Sequence, residues 1–474
     1  MTRAEAIAIY HTGQQSVVQL LLKISAENDA LTLRIQQLEN QAAKDSHNSH
    51  QPPATDGFNK NKTKTLRTSS SRRVGGQHGH NGQTLKQMAH PDHKIEHRVT
   101  GNCACGFSLH NLVPIDYEAR QVFDLPVIKV EVTEHRAEIK QCPQCGNHHK
   151  APFPDHVTKP VQYGNRVKAF SVYLMNYQFI PYERTQQFFY DIFSLPISQG
   201  TLVNFNKHCY QQLQDTEAFI KQQIITALVA HFDESGLYVN GKRQWLHVGS
   251  TSDVTYYASH EQRGQRAMQD IGILPQFNGT AIHDHWKSYF TFSCQHGLCN
   301  AHHLRELTYV AEQYQQAWAQ DMAKLLYEIK NKVEIEKINH DCFDDKLLKD
   351  YKEQYETILD AAAKANPPPQ QKNNNKKRGK PKQTEPKNLL DRLRDYAHET
   401  LAFMYDFNVP FDNNLAERDV RMIKVQQKIS GTFRSQLGAK YFCRIRGYIS
   451  TAKKQNLNVL NAIEASFLSV RVLY

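Results

Sequence analysis

The sequence predicts a multidomain α+β protein, and three observations predict it. Apolar residues recur at strict 3-4 spacing near the N-terminus, four cysteines stand in two close pairs, and a run of short strands gives way to long helices. At 474 residues the chain exceeds what one hydrophobic core can hold and divides into two to four units. Its first residues, MTRAEAIAIYHTGQQS, lack the apolar stretch of a signal peptide, and no apolar run nears the ~18 residues of a membrane span. Both features predict a cytoplasmic protein, in which nine cysteines point to metal binding or burial rather than to disulfides.

Residues 1–42 read as a coiled coil. Val17, Leu21, Ile24, Asn28, Leu31, Ile35 and Leu38 form a seam narrower than a helix packing on its own protein would need, and Asn28 at an a position favours a dimer. Residues 43–86, with NSHQPPATDG and RRVGGQHGHNGQTL, cannot bury a core and read as a flexible basic arm. Residues 87–160 read as a zinc-binding β module. GNCACG and KQCPQCGN place Cys103, Cys105, Cys142 and Cys145 on either side of the β-rich QVFDLPVIKVEVTEHRAEI, and paired thiolates from two loops suit a tetrahedral Zn²⁺. The C-x-C pair is tighter than the usual C-x2-C, so His110, His135 or His148 is the alternative for one sulfur.

Residues 161–222 read as a helical region. One helix stops near Ser194-Leu195-Pro196 and Ser198 caps the next, a layout shared by helix-turn-helix modules and plain bundles. Strands follow over 223–300: IITALVAHFDESG, the Asn240-Gly241 hairpin signal in YVNGKRQWLHVGST, VTYYASH and, after a helical stretch at 261–271, GTAIHDHWKSYF. Long helices occupy 301–408, interrupted by a disordered 364–387; a helix over 413–428 fills most of 409–430, and a basic element, 431–474, ends the chain.

Asp233 and Asp284 each end an apolar strand. If the first and fourth strands are neighbours, both carboxylates emerge at one edge as a hard-oxygen site for Mg²⁺ or Mn²⁺. A third acid would complete a two-metal arrangement. Glu417 is the natural candidate and Glu306 its rival; on its helix Glu417 shares one stripe with Arg421, Lys424 and Lys428. The plain alternative is a solvated face with a weak Glu417–Arg421 pair.

The net charge of +11 is concentrated. Residues 60–73 carry six cations and no acid, 372–387 carry seven and one acid, and 418–454 carry ten against Asp419 alone. Such tracts suit a phosphate backbone, although solvated linkers explain the first two nearly as well. Arg72, Arg73, Arg421, Lys424, Lys428, Arg434, Arg444 and Arg446 are the candidate DNA contacts. Cys294, Cys299 and His302 read as packing where a strand meets a helix, His231 and His283 as strand polars, and Trp286 as core.

HFDESGLYVNGKRQWLHV, AIHDHWKSYF, LCNAHHLREL, VPFDNNLAERDVRMIKVQQKISGTFRS and FCRIRGYISTAKKQNLNVLNAI together resemble the insertion-sequence sixty-six branch of bacterial DDE transposases, nearly end to end. The resemblance implies a ribonuclease-H-like catalytic domain with a helical insertion between the second Asp and the Glu, and Asp233, Asp284 and Glu417 as its triad. It also implies binding to the element's terminal repeats and target DNA near the nucleoid, a homodimer or higher oligomer, and accessory proteins of the same element. The chain departs from the family at the C-x-C pair and at HFDES, where HxDET is commoner. The rival reading is a non-catalytic zinc and coiled-coil DNA-binding regulator derived from a transposase.

Overall fold

A computed structural model describes residues 3–44, 48, 85–126, 128–368, 383–468, 470 and 472–473. Arg72, Arg73, most of the 43–86 arm and much of the 364–387 tract lie outside the described residues. The chain divides into two compact units, Lys62–Glu134 and the combination of Met1–Asn61 with His135–Tyr474.

The described residues of Lys62–Glu134 form no strand, only an isolated bridge between Asn102 and Ser108. The described residues of 121–134 therefore do not pair as the β-rich composition predicts, and pairing begins only at the end of that stretch, where the Ala151 N–H donates to the Glu138 carbonyl at 2.9 Å. β propensity measures how well a side chain fits a half-covered pleated surface, and here Val122 and Val132 remain 91% exposed. Side chains take the place of a ladder: Gln121 both donates to and accepts from the Met88 backbone at 2.7 Å.

The larger unit begins with helices Arg3–His11 and Gln14–Ala42. On the second, Leu21, Leu31 and Leu38 of the predicted seam are exposed. A short antiparallel pair follows, β1 (Ile139–Gln141) with β2 (His148–Lys150).

The central sheet holds β3 (Val229–Val239), β4 (Lys242–Ser250), β5 (Thr255–His260), β6 (Thr280–His283) and β7 (Gln295–Leu298), in the order β5-β4-β3-β6-β7. The first three form an antiparallel meander, and β6 and β7 add in parallel on the other side of β3. The hairpin turns at Asn240-Gly241, where both φ angles are positive (48° and 72°), as a type I′ turn requires. β6 enters tightly: a Cβ at Gly279 would lie 2.4 Å from the Leu228 carbonyl oxygen, so only glycine fits there.

Helices Asn165–Val172, Tyr182–Phe193, Gln199–Gln212 and Gln214–Ile225 share one core with the sheet and with the C-terminal helices Gln436–Lys454 and Val459–Phe467. Leu202, Ile224, Phe232, Ala281, Ile449 and Ile463 all belong to it. The 161–222 and 431–474 segments are thus walls of the sheet domain, because their apolar faces are completed by residues hundreds of positions away. A second core, with Leu307, Leu326, Tyr355 and Leu390, joins the long helices Asn300–Gln313, Ala317–Glu336, Asp345–Ala365 and Glu385–Asp395. This helical segment leaves and re-enters the sheet domain at one place: the Asn300 N–H donates to the Phe411 carbonyl and the Asn413 N–H to Cys299 Sγ, both at 3.1 Å.

Candidate active site

Two strands and one helix converge on the acids. β3 and β6 run parallel with His231 opposite Ile282, so Asp233 and Asp284, each two residues further on, reach the same level on the same face. Asp284 follows the end of β6, as expected, but Asp233 lies inside its strand. β3 continues to Val239 because β4 still pairs with it, Asp233 opposite Val248, after β6 has ended.

Glu417 lies in the first turn of helix Asn414–Ser430, and Asn413 fixes where that helix starts. The side chain of Asn413 contacts His231 Nδ1 at 2.9 Å and donates to the Phe232 carbonyl at 2.8 Å. Further along, Asp419 accepts from Ser250 Oγ (2.6 Å), Thr255 Oγ1 (3.0 Å) and Lys454 Nζ (3.1 Å). The helix is therefore tied to β3, β4 and β5 on either side of Glu417. Neither Asn413 nor Asp419 was legible as a functional residue; the only sequence signal for Asn413 is its place before a helix, and its side chain makes no cap bond there.

The site is crowded with negative charge. Burial, followed by the carboxylates of Glu234, Asp284 and Glu417, pushes the Asp233 carboxyl well above the usual range, against a 2.8 Å bond from the Glu234 N–H. Glu234, which the sequence reading passed over, is buried and pushed up to about 7 by desolvation and then by Asp284. Arg263 binds one of its oxygens through Nε (2.8 Å) and Nη2 (2.6 Å), and the Tyr289 hydroxyl donates to the other. The Arg263 guanidinium lies over Trp286 (4.1 Å) and Trp245 (5.0 Å), and the backbone N–H of Trp286 donates to Asp284 Oδ1 at 3.0 Å. Trp286 is thus a half-buried part of the site's frame. His283, fully buried and stacked on Tyr289, is pushed down to about 3 by desolvation, and burial also lowers His231.

The rival Glu306 is paired with Arg392. The ion-pair partners of Glu417 are His302 and Arg305 rather than Arg421. Cys299 faces Glu417 as well, which differs from plain packing, while Cys294 lies in the sheet core. Among the candidate DNA contacts, Arg421, Lys428 and Arg434 are exposed, and Lys424 Nζ donates to the Gly236 carbonyl at 2.7 Å. Arg444 pairs with Glu217 and stacks on Tyr210, and Arg446, 5% exposed, donates to the Asn176 carbonyl. These last two charges are engaged inside the fold, unlike what the basic tract alone predicts.

The cysteine pairs occupy similar turns, each in its own unit. The Gly106 N–H donates to the Cys103 carbonyl and the Gly146 N–H to the Cys142 carbonyl, with both glycines at positive φ. The backbone of Cys105 holds the Cys103 thiol below its ordinary value, and that of Cys145 does the same for Cys142.

Residues 160–441 match the model of the Transposase IS66 family. The chain belongs to that family. Residues 100–146 of this transposase match the zinc-finger binding domain of transposase IS66, a domain that carries structural zinc, and residues 5–86 match a family of unknown function (DUF6444). No curated protein matches the chain. None of its described helices is long and apolar enough to cross a membrane.

Proposed function

We propose that this transposase cuts the ends of its own element and transfers the freed 3′-hydroxyl to target DNA from one site formed by Asp233, Asp284 and Glu417. The observation that carries the reading is the parallel β3–β6 register that levels the two aspartates, with the Glu417 helix tied to the same sheet. The strand order, an antiparallel meander extended by two parallel strands, supports the ribonuclease-H-like domain of this reading. Burial first, and then the neighbouring carboxylates, raise the Asp233 carboxyl; a dication would relieve the second of these, and all three candidate donors are hard oxygens suited to Mg²⁺ or Mn²⁺. Such ions activate the attacking oxygen and stabilise the leaving one.

The chain's own part is to hold the three carboxylates in place before DNA arrives. β3 and β6 fix the aspartates, Asn413 and Asp419 fix the helix, and the Glu234–Arg263–Trp286 network braces the loop after Asp284. Arg421, Lys428 and Arg434 offer exposed charge for phosphates. Cys103, Cys105, Cys142 and Cys145 hold zinc in this reading, and the Gln14–Ala42 seam pairs two copies or engages an accessory protein of the element.

The test is incubation of purified protein with labelled element ends and Mg²⁺. Cleavage is expected from the wild type and not from Asp233→Asn, Asp284→Asn or Glu417→Gln, each of which still binds DNA. Full cleavage by Glu417→Gln would remove that residue from the triad. Binding without cleavage by the wild type would favour the non-catalytic regulator.

A further inference from the structure

We propose that Cys299, His302 and Glu417 form a second metal site, selective for a thiophilic divalent cation such as Zn²⁺, whose occupation withdraws Glu417 from the aspartates. The withdrawal rests on the role proposed above for Glu417; the site itself does not.

The donors come from two helices that face each other. Cys299 immediately precedes helix Asn300–Gln313 and His302 lies in its first turn, while Glu417 projects from the first turn of Asn414–Ser430. One thiol, one imidazole nitrogen and one carboxylate oxygen lie within 4.8 Å of one another. Cys299 Sγ is 3.8 Å and His302 Nε2 3.7 Å from the same atom, Glu417 Oε1. An imidazole bonded directly to a carboxylate would stand at about 2.7–3.2 Å. Metal–ligand lengths of ~2.3 Å to sulfur and ~2.0–2.2 Å to nitrogen and oxygen put the edges of a tetrahedral zinc site at roughly 3.3–3.6 Å. The two edges that meet at Glu417 Oε1 thus stand a few tenths of an ångström outside a zinc tetrahedron, and the third, between Cys299 and His302, is within 4.8 Å.

The surroundings fit as well. The Asn413 N–H donates to Cys299 Sγ at 3.1 Å, an outer bond that fixes the sulfur and favours its anionic form. Arg305 approaches the other oxygen, Oε2, at 3.9 Å and leaves Oε1 to the ion. Cys299 is buried, whereas the His302 and Glu417 side chains keep 19% and 14% of their surface, giving the ion a path in and a solvent ligand for the fourth position. The sulfur selects zinc over magnesium, which prefers all-oxygen sites.

The experiment titrates the full chain, its zinc finger already loaded, with Co²⁺, following the thiolate-to-cobalt charge-transfer band and measuring bound metal. The wild type should take up one equivalent more than Cys299→Ser or His302→Gln, with the band weaker in both variants; His302→Gln, on a partly exposed first turn, guards against misfolding of the cysteine variant. Equal metal content and equal spectra in all three proteins would overturn the site. In Mg²⁺-driven end cleavage, added Zn²⁺ should slow the wild type severalfold, and the ratio of rates without and with zinc should fall towards unity in Cys299→Ser. Extra cobalt bound without any slowing by zinc would overturn the withdrawal of Glu417. Extra cobalt bound by a protein that never cleaves would sink the transposition reading and leave the metal site standing.

Discussion

Asp233 sits in an 11-residue strand paired on both sides, and Glu417 on a helix tied to the sheet before and after it. Cys103 and Cys142 sit in turns held by a few backbone bonds, one beside the isolated Asn102–Ser108 bridge and the other after a three-residue strand. Around the carboxylates the fold does the ordering, and a core of aliphatic and aromatic side chains underwrites it. Around the thiols there is little core to do so, and in the zinc reading proposed above the metal would. On that reading the two regions store their free energy differently, in buried contacts in one case and in coordination bonds in the other.

The sharpest way to break this comparison is to remove zinc. Structural zinc contributes on the order of 10–16 kcal/mol to isolated fingers. A strong chelator, or Cys142→Ser with Cys145→Ser, should abolish amide-exchange protection across 100–146 and leave β3 and β4 protected. Equal loss in both regions would show that the sheet also depends on the metal.

Next in size is the Lys454–Asp419 pair, with 13% and 15% of the two side chains exposed. Lys454→Met leaves Asp419 without its cation and should cost about 3 kcal/mol in urea unfolding. Normal stability would mean that Ser250 and Thr255 suffice to hold the helix. Asn413→Ala strands the Phe232 carbonyl and one His231 nitrogen, with an expected loss of ~1–3 kcal/mol. Its cleavage rate should fall by more than its stability, since Glu417 loses its reference to β3. A parallel fall in the two would make Asn413 a packing residue only.

The smallest effect is expected from Lys424→Ala. If Lys424 leaves Gly236 for a phosphate when DNA binds, the salt dependence of end binding flattens by about one unit of slope. An unchanged slope, measured by fluorescence anisotropy across salt concentrations, would keep the lysine as a brace on β3.

Local signals were legible where local chemistry decides. The Asn240-Gly241 turn, the Ser198 cap (Thr201 N–H to Ser198 Oγ, 3.1 Å) and the helix around Glu417 follow from residues close in sequence. That the first and fourth strands of the sheet are neighbours, the condition on which the two aspartates meet, follows from the sheet itself rather than from any local signal. What could not be read depends on partners far along the chain. Nothing near Arg444 announces Glu217, and nothing near Asp419 announces Lys454 beside Ser250. Glu234 stands next to Asp233 in the chain, but the Arg263 and Tyr289 that close on it come from 29 and 55 residues away. The 121–134 stretch misled for the opposite reason: its residues suit a sheet, but among the described residues of its unit there is no strand to pair with.

The two bonds joining Cys299 to Asn413 and Asn300 to Phe411 give the long helices the topology of a bulb on a closed stem. Because the stem is clamped, what happens in the bulb beyond His302 and Arg305, which touch Glu417 from its first helix, need not reach that acid. Closing a longer loop costs free energy only logarithmically, about 0.6 kcal/mol per doubling, so the bulb is free to lengthen, shorten or acquire tracts such as 369–382. A lineage can therefore remodel this appendage, and any surface it presents, while the three acids stay in register.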